Sequence, residues 1–444
     1  MTKFRLSSLS GVLLLLLLLS GCGSKKVAWH GPVADLNNYP QNLQAYIQSD
    51  QADKPLIDDA EQIAATQRYK RLFFKPWSQE KSIFPPKEAA WAPKHYAGKS
   101  SWTSEGKKVG SEVWQSAADN ANIKKFPSLG WKGILIENAP LRALPTSTPY
   151  YRNPNNPGEG YPFDYMAFSV LWIGTPVFVS HISLDGQWLF CETALLSGWV
   201  PTKAVRSVSS EFINLWLRLP LAALAKDRIP LDYASGGTGG SNTRDLRIGT
   251  ILPQQGGSVL VPVAQGNAAG WRAIALPPDT IVDFPMPFTA GNVALVGNEM
   301  MGEHYGWGGI DYLRDCSAML RDLFTTFGIW LPRNSSQQLK VGEVSNISGM
   351  LPPAKEKRLK DSGKPFRTLV GMPGHVMLYI GQYNDRAVVY HDVWGTRTDL
   401  GKDGQGRLII GKVSVTSLEP GEEHQEVRRA GTLLKRVQTF TVIP

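Results

Sequence analysis

The stretch that organises the chain runs from Tyr305 to Gly328, YGWGGIDYLRDCSAMLRDLFTTFG. Behind Cys316 the apolar residues Met319, Leu320, Leu323, Phe324 and Phe327 recur at i, i+3, i+4 and i+7, the pattern of a helix with one buried face. Asp315 stands at the N-cap position and Gly328 where helices end, so the spacing predicts a helix that opens on Cys316. A thiol placed there lies beside unpaired backbone N–H groups and the positive end of the helix dipole, which ease the loss of its proton. The resulting thiolate would be a nucleophile. The competing reading is an inert buried cysteine, which most free cysteines are.

Downstream, MPGHVMLYIG (Met372 to Gly381) alternates as a strand, with His375, Met377 and Tyr379 on one face. RAVVYHDVWG (Arg386 to Gly395) reads as a second strand, with Ala387, Val389, His391 and Val393 on one face. Asn384 and Asp385 tolerate the left-handed conformations of a tight turn, so the two form a hairpin. Taken as symmetric about Tyr383, the hairpin sets His375 directly opposite His391, with Cβ atoms ~4.5–5.5 Å apart. One imidazole could then take the thiol proton while the other orients it through the second ring nitrogen. A one-residue slip would part them onto opposite faces. A lone histidine is usually a satisfied structural residue, but two that meet across one hairpin after a helix-opening cysteine point to catalysis. A zinc site from Cys316, His375 and His391 has suitable donors but no close Cys or His spacing, so neither metal nor cofactor is expected.

At 444 residues, 42% hydrophobic and 19% charged, the chain is globular material for about three or four domains. Residues 1–22 differ: Lys3 and Arg5 precede Val12 and an unbroken run from Leu13 to Leu19, a signal-peptide core too short to span a bilayer. Of three cysteines, Cys22 closes that leader, Cys191 in WLFC reads as a core strand residue, and Cys316 is left as a free thiol. The net charge of +9 suits anionic lipid headgroups or wall polymer, and nucleic acid is not an expected partner of an exported chain.

Residues 23–130 read as a clip: helical spacing from Leu36 to Ile47, a helix from Ile63 to Phe74, a Pro/aromatic arm from Lys75 to Lys99, and a helical piece from Val109 to Asn122. Period-two strands fill residues 131–210, namely MAFSVLWI, TPVFVSHIS, QWLFCET and GWVPTKAV, and argue for a small β-barrel. Residues 211–286 read as a second, degenerate barrel with a Gly-rich insertion at Ser235–Ser241, and residues 287–444 hold the cysteine and histidines.

These stretches carry resemblances. Leu19-Ser20-Gly21-Cys22 resembles a bacterial lipobox, which implies cleavage before Cys22 and lipidation of its sulfur. Gly23 in place of a retention aspartate implies the outer membrane, facing the periplasm. The run Gly174-Thr175-Pro176-Val177, Ser183 to Trp188 and Gly198-Trp199-Val200 resembles bacterial Src-homology-3 barrels. Tyr305-Gly306-Trp307-Gly308-Gly309, Asp315-Cys316-Ser317, Leu331-Pro332-Arg333, Gly374-His375-Val376 and His391 together resemble the NlpC family of papain-like cell-wall cysteine peptidases.

That resemblance implies an α+β chain, a papain-like domain preceded by two small all-β barrels and a partly helical arm. It implies hydrolysis of the γ-D-glutamyl-L-diamino acid bond of murein stem peptides, with Cys316 as nucleophile, His375 as base and His391 as orienting residue. Tyr305 would shape the oxyanion region, and Asp315, Ser317 and Ser335 would contact substrate, although Asp315 is equally a plain helix cap. In barrel-bearing relatives the first barrel closes the groove around a free N-terminal L-Ala. Here Asp164, Tyr165 or Glu192 would supply the contact. The sequence departs from the family at Ala318, at KPFRTLVGM before His375, and at Asn334 where an aspartate is usual. The rival readings are a wall-binding lipoprotein with an inactive peptidase domain, and a papain-like amidase or acyltransferase.

Overall fold

The computed structural model describes residues 28–231 and 243–444. Cys22 with its leader, and the Gly-rich Ser235–Ser241 stretch, lie outside the described residues.

The Cys316 helix forms as its spacing requires, from Cys316 to Thr325, and Gly328 follows in the left-handed region with φ of 70°. Met319, Leu320, Leu323, Phe324 and Phe327 are fully buried in one apolar cluster with Val376, Leu378, Val388 and Tyr390 of the hairpin. The sheet beneath has seven strands in the spatial order Ala28–Trp29, Gln405–Ser417, Arg386–Asp399, His375–Tyr383, Thr368–Met372, Thr439–Val442 and Glu343–Asn346. Its first strand belongs to the N-terminal arm and pairs in parallel with the edge of the peptidase sheet, Ala28 against Arg407.

The strands expected in two barrels belong to one twelve-stranded sheet, apart from Ile229–Pro230 and Asp245–Leu246, which pair with each other. Ser207 against Ala268 is the single rung that joins its halves. The arm holds both halves to the peptidase region: Trp77 Nε1–H donates to the Gly133 carbonyl at 2.8 Å, and Gln62 Nε2 to the Met286 carbonyl at 2.7 Å. The helical rhythm from Leu36 to Ile47 does not give one helix. A turn at Asp35–Asn38 ends at Tyr39, which is extended because Pro40 disfavours helical backbone before it. A separate 3-10 turn, Leu43–Tyr46, starts on the Asn42 side chain.

A buried ion network fixes the peptidase against the second half of the sheet. Arg314 reaches Asp322 at 2.8 Å, Asp227 at 2.9 Å and Glu303 at 2.8 Å. Arg247 bonds the same Asp227 and Glu303, and Trp172 of the first half donates its indole N–H to Asp322 at 2.9 Å. Side chains so deeply buried are tolerated because each charge is paired; removing one partner leaves the rest uncompensated.

Candidate active site

Asp315 caps the helix, its Oδ1 accepting the Ala318 N–H at 3.0 Å, so Cys316 stands at the first helical position. Its sulfur accepts the backbone N–H of Val376, the residue after His375, which ties thiol and histidine strand together. The local field differs from the one expected of a helix N-terminus. Burial first, then the Asp315 carboxylate, push the thiol up to about 12. The cap that starts the helix is itself an anion beside the sulfur, and it outweighs the dipole. The resting thiol is neutral, so its proton must leave during attack.

The histidines meet, by a route the symmetric hairpin did not anticipate. The turn is the two residues Asn384 and Asp385, with φ of 49° and 60°. Near it the pairs are Tyr383–Arg386, Gln382–Ala387 and Gly381–Val388, a register that would set His375 and His391 on opposite faces. A β-bulge between Tyr379 and Gly381 shifts the pairing to Tyr379–Val389 and Leu378–Tyr390. That single extra residue returns both histidines to one face, as diagonal neighbours rather than directly opposite partners. His375 Nε2 then lies 2.9 Å from His391 Nδ1.

The chain of bonds continues and fixes where the protons sit. Thr416 donates its only hydroxyl proton to the Ser417 carbonyl at 2.7 Å, so toward His391 Nε2, at 3.0 Å, it can only accept. His391 therefore carries its proton on Nε2 and offers the bare Nδ1 to the N–H of His375 Nε2. The lone pair of His375 is thereby left on Nδ1. Burial, with Arg436 adding to it, holds His375 down at about 4, and burial, then His375, holds His391 well below the ordinary histidine value. Both rings are neutral near pH 7, and His375 is a base with an empty site.

A cleft of about 600 Å³ opens over the sulfur. Tyr305, Trp307, Gly308, Asp315, Cys316, Ser317, Arg333, Asn334, Ser335, Ser336 and Gly374 line it from the peptidase. Ala167, Phe168, Leu196 and Ser197 of the barrel and Phe84 of the arm close one end. Tyr305 is buried, and its hydroxyl is raised well above the ordinary value, by burial first and then by Cys316 and Asp315, so it remains a proton donor.

Several expected substrate contacts are already committed within the protein. Asp315 accepts from Arg333 at 2.7 and 3.1 Å, from Ser317 at 3.0 Å and from the Gly308 N–H at 3.0 Å, besides its cap bond. Ser317 is held between Asp315 and Arg333. Both residues shape the cleft floor, with Arg333 as their anchor, rather than offering free hydrogen-bonding groups.

The barrel residues are placed likewise. Asp164 accepts from the Tyr150 and Met166 N–H groups at 2.8 and 2.9 Å and pairs with Arg142 at 3.1 Å. Glu192 gathers the arm through Gln79, Ser82 and the Ile83 N–H, and so sets the neighbouring Phe84 into the cleft. Tyr165 bonds Glu159 at 2.9 Å, and its ring lies tilted against Trp307 with centroids 5.3 Å apart. Among the described residues no carboxylate except Asp315 lines the cleft, so none of the three barrel residues supplies a free partner for an ammonium. Ser335 does line it. Cys191 is a buried core residue of the strand Trp188–Glu192.

Sequence reasoning missed Thr416 and the anchoring role of Arg333. Leu331-Pro332-Arg333 was visible as a motif, but its partner was not. Thr416 has no local signal, because its role depends on strand register.

Comparisons with known proteins match the domain series. Residues 11–126 match the NLPC_P60 stabilising domain, N term; residues 149–201 the SH3 domain (SH3b1 type); and residues 302–393 the NlpC/P60 family. Among solved structures, an NlpC/P60 endopeptidase from Photobacterium damselae subsp. piscicida is 28% identical with a TM-score of 0.84, over 93% of this chain and 98% of that one. An NlpC/P60 family protein from Bacillus cereus is 16% identical with a TM-score of 0.44, over 70% and 100%, too distant to add to the argument. No curated protein sequence matches the chain. Fold, domain series and site thus define a papain-like hydrolase of the α+β class. Residues 302–393 carry an NlpC/P60 domain, and the chain is a cysteine peptidase.

Proposed function

We propose that this peptidase is a lipid-anchored cell-wall endopeptidase that hydrolyses the γ-D-glutamyl-L-diamino acid bond of murein stem peptides. The observation that carries the reading is the bonded chain His375, His391 and Thr416 beside a helix-opening Cys316, beneath a cleft closed at one end by the barrel. As Cys316 Sγ attacks the γ-carbonyl, its proton passes to His375 Nδ1. The oxyanion meets N–H groups of the first helical turn, with Tyr305 beside it. His375 then returns the proton to the departing amine, leaving a thioester that water cleaves by the same base.

The closed end favours stems with a free N-terminal L-Ala, since a muramyl group would meet Phe84, Phe168 and Leu196. That selection works by shape, because the barrel carboxylates are paired. Lipidation at Cys22 would hold the protein at the outer membrane, facing the periplasm. It rests on Leu19-Ser20-Gly21-Cys22.

The test is digestion of L-Ala-γ-D-Glu-diaminopimelate and its N-muramyl form, read by mass spectrometry. Release of L-Ala-D-Glu from the free peptide is expected, with the muramyl form cut more slowly. Cleavage at another bond defeats the bond assignment, and equal rates defeat the closed end. For the anchor, Cys22→Ser should leave the membrane fraction or stay unprocessed; a processed variant that remains bound would count against it.

A further inference from the structure

Three arginines beyond the histidines, outside the lining of the cleft itself, have no carboxylate partner among the described residues. Arg397 and Arg407 are direct partners across antiparallel strands, where like charges destabilise a sheet. Alternation along Arg386–Asp399 places Val393, Gly395 and Arg397 on the His391 face; the irregularity after Val393 adds its extra residue to the partner strand, where Lys412 and Ile409 span it. Among the described residues Arg407 bonds only the Gly406 carbonyl, at 2.8 Å, and faces the barrel loop, where a Cβ on Gly158 would lie 3.2 Å from its guanidinium. The acid of that loop, Glu159, is taken by Arg152 and Tyr165.

Arg436 completes the group. Leu433, Leu434 and Val437 around it pack with Met372 and Met377, and the Gln438 N–H bonds the Gly371 carbonyl at 2.9 Å. Met372 in turn pairs with His375, so Arg436 stands at the strand end where the base is. Burial, then Arg397 and Arg407, lower its guanidinium to about 10, and its own charge is felt at His375. Three cations within one another's field, Arg407 and Arg436 half-buried and Arg397 exposed, with no counter-charge among the described residues, are costly unless an anion visits them.

Chemistry says which part of a substrate arrives there. His375 must protonate the departing amine, so the leaving residue lies on the His375 side, opposite the barrel-closed end. We propose that Arg436, Arg407 and Arg397 form an anion subsite for the leaving peptide, taking a carboxylate on the side chain of its diamino acid, so that diaminopimelate-type stems are favoured over lysine-type stems. This rests on the γ-D-glutamyl reading above. The same chemistry would hold a terminal main-chain carboxylate, and the test separates the two.

The experiment measures kcat/KM of the full chain on L-Ala-γ-D-Glu-diaminopimelate, its side-chain amide, its C-terminal amide and the lysine analogue. Wild type should lose about tenfold or more on the side-chain amide and the lysine analogue. Arg436→Gln should cut all four at the lower rate, Arg436→Lys should recover part of the difference, and both should keep the melting temperature. Equal rates in wild type, or an equal loss on every peptide in Arg436→Gln, would overturn the subsite; a loss confined to the C-terminal amide would overturn its diamino-acid assignment. If wild type cuts no γ-D-glutamyl peptide, the proposed function fails separately. Titration of Cys316→Ala protein with free diaminopimelate and lysine then decides: binding of the first alone, abolished by Arg436→Gln, upholds the subsite, and no binding overturns it.

Discussion

The two ends of the cleft handle charge in opposite ways. At the barrel end every nearby carboxylate has its bonds filled: Asp164 by Arg142 and two N–H groups, Glu192 by the arm, Asp315 by Arg333 and the helix start. Beyond the histidine end Arg397, Arg407 and Arg436 have no acid partner among the described residues. Paired buried charge fixes shape, whereas unpaired charge at a cleft edge is a demand for a ligand. Variants at the first end should therefore lower stability, and variants at the second should lower activity with the fold intact.

The largest expected effect is at the thiol between them. Cys316→Ala should lower turnover by ~10⁴-fold or more while melting within a few degrees of wild type, since the sulfur does chemistry and little packing. His375→Ala should be comparably inactive, and His391→Gln should keep appreciable activity, because the amide oxygen can still accept the His375 N–H. Steady-state kinetics on one γ-D-glutamyl peptide checks both; His391→Gln as inactive as His375→Ala would mean that His391 does more than orient.

Next comes the paired side. Arg314→Leu strips Asp227, Glu303 and Asp322 of a shared cation and should cost ~3–5 kcal/mol in denaturant unfolding. An unchanged midpoint would show that the network does not hold the domains.

Thr416→Val keeps the shape but lets His391 move its proton to Nδ1, which pushes the His375 proton onto the nitrogen that should be bare. Turnover should fall ~10–100-fold with KM little changed, Thr416→Ser should restore it, and imidazole ¹⁵N shifts should report the tautomer switch. An unaltered spectrum in Thr416→Val would remove Thr416 from the relay.

The smallest effect is in pH. His375 acts when unprotonated and is held at about 4, so kcat/KM should stay level from pH 8 to 5 and fall only as pH drops through about 4. Its folded value lies below the ordinary 6.5, so the unfolded chain binds the proton more readily. Stability should be full above ~6.5 and decline from there toward about 4. An acid limb near 6.5 would mean that His375 is not the buried neutral base.

Much of this was legible in the chain because it is local. The helix opening on Cys316 follows from a 3.6-residue rhythm, a cap and a glycine, and the barrel strands follow from alternation between turn signals. What failed is what depends on register or on distant partners. A hairpin centred on Tyr383 misses the register, since neither the Asn384-Asp385 turn nor the bulge at Ile380 has an unambiguous sequence mark, and the two deviations together determine the face of His391. Helix position alone overstates the ease of thiol ionisation, because Cys316 is buried and its cap residue is also a charge. Asp164 and Glu192 looked available because their partners lie 22 and about 110 residues away.

The most direct test is to mix wild-type protein with L-Ala-γ-D-Glu-diaminopimelate, quench in acid within a turnover, and locate the acyl group by peptide mass spectrometry. A thioester of L-Ala-D-Glu on Cys316, absent from Cys191 and lost in His375→Ala, is the expected result. Turnover of the peptide with the acyl group on another residue, or with the diaminopimelate half retained on the protein, would contradict the account.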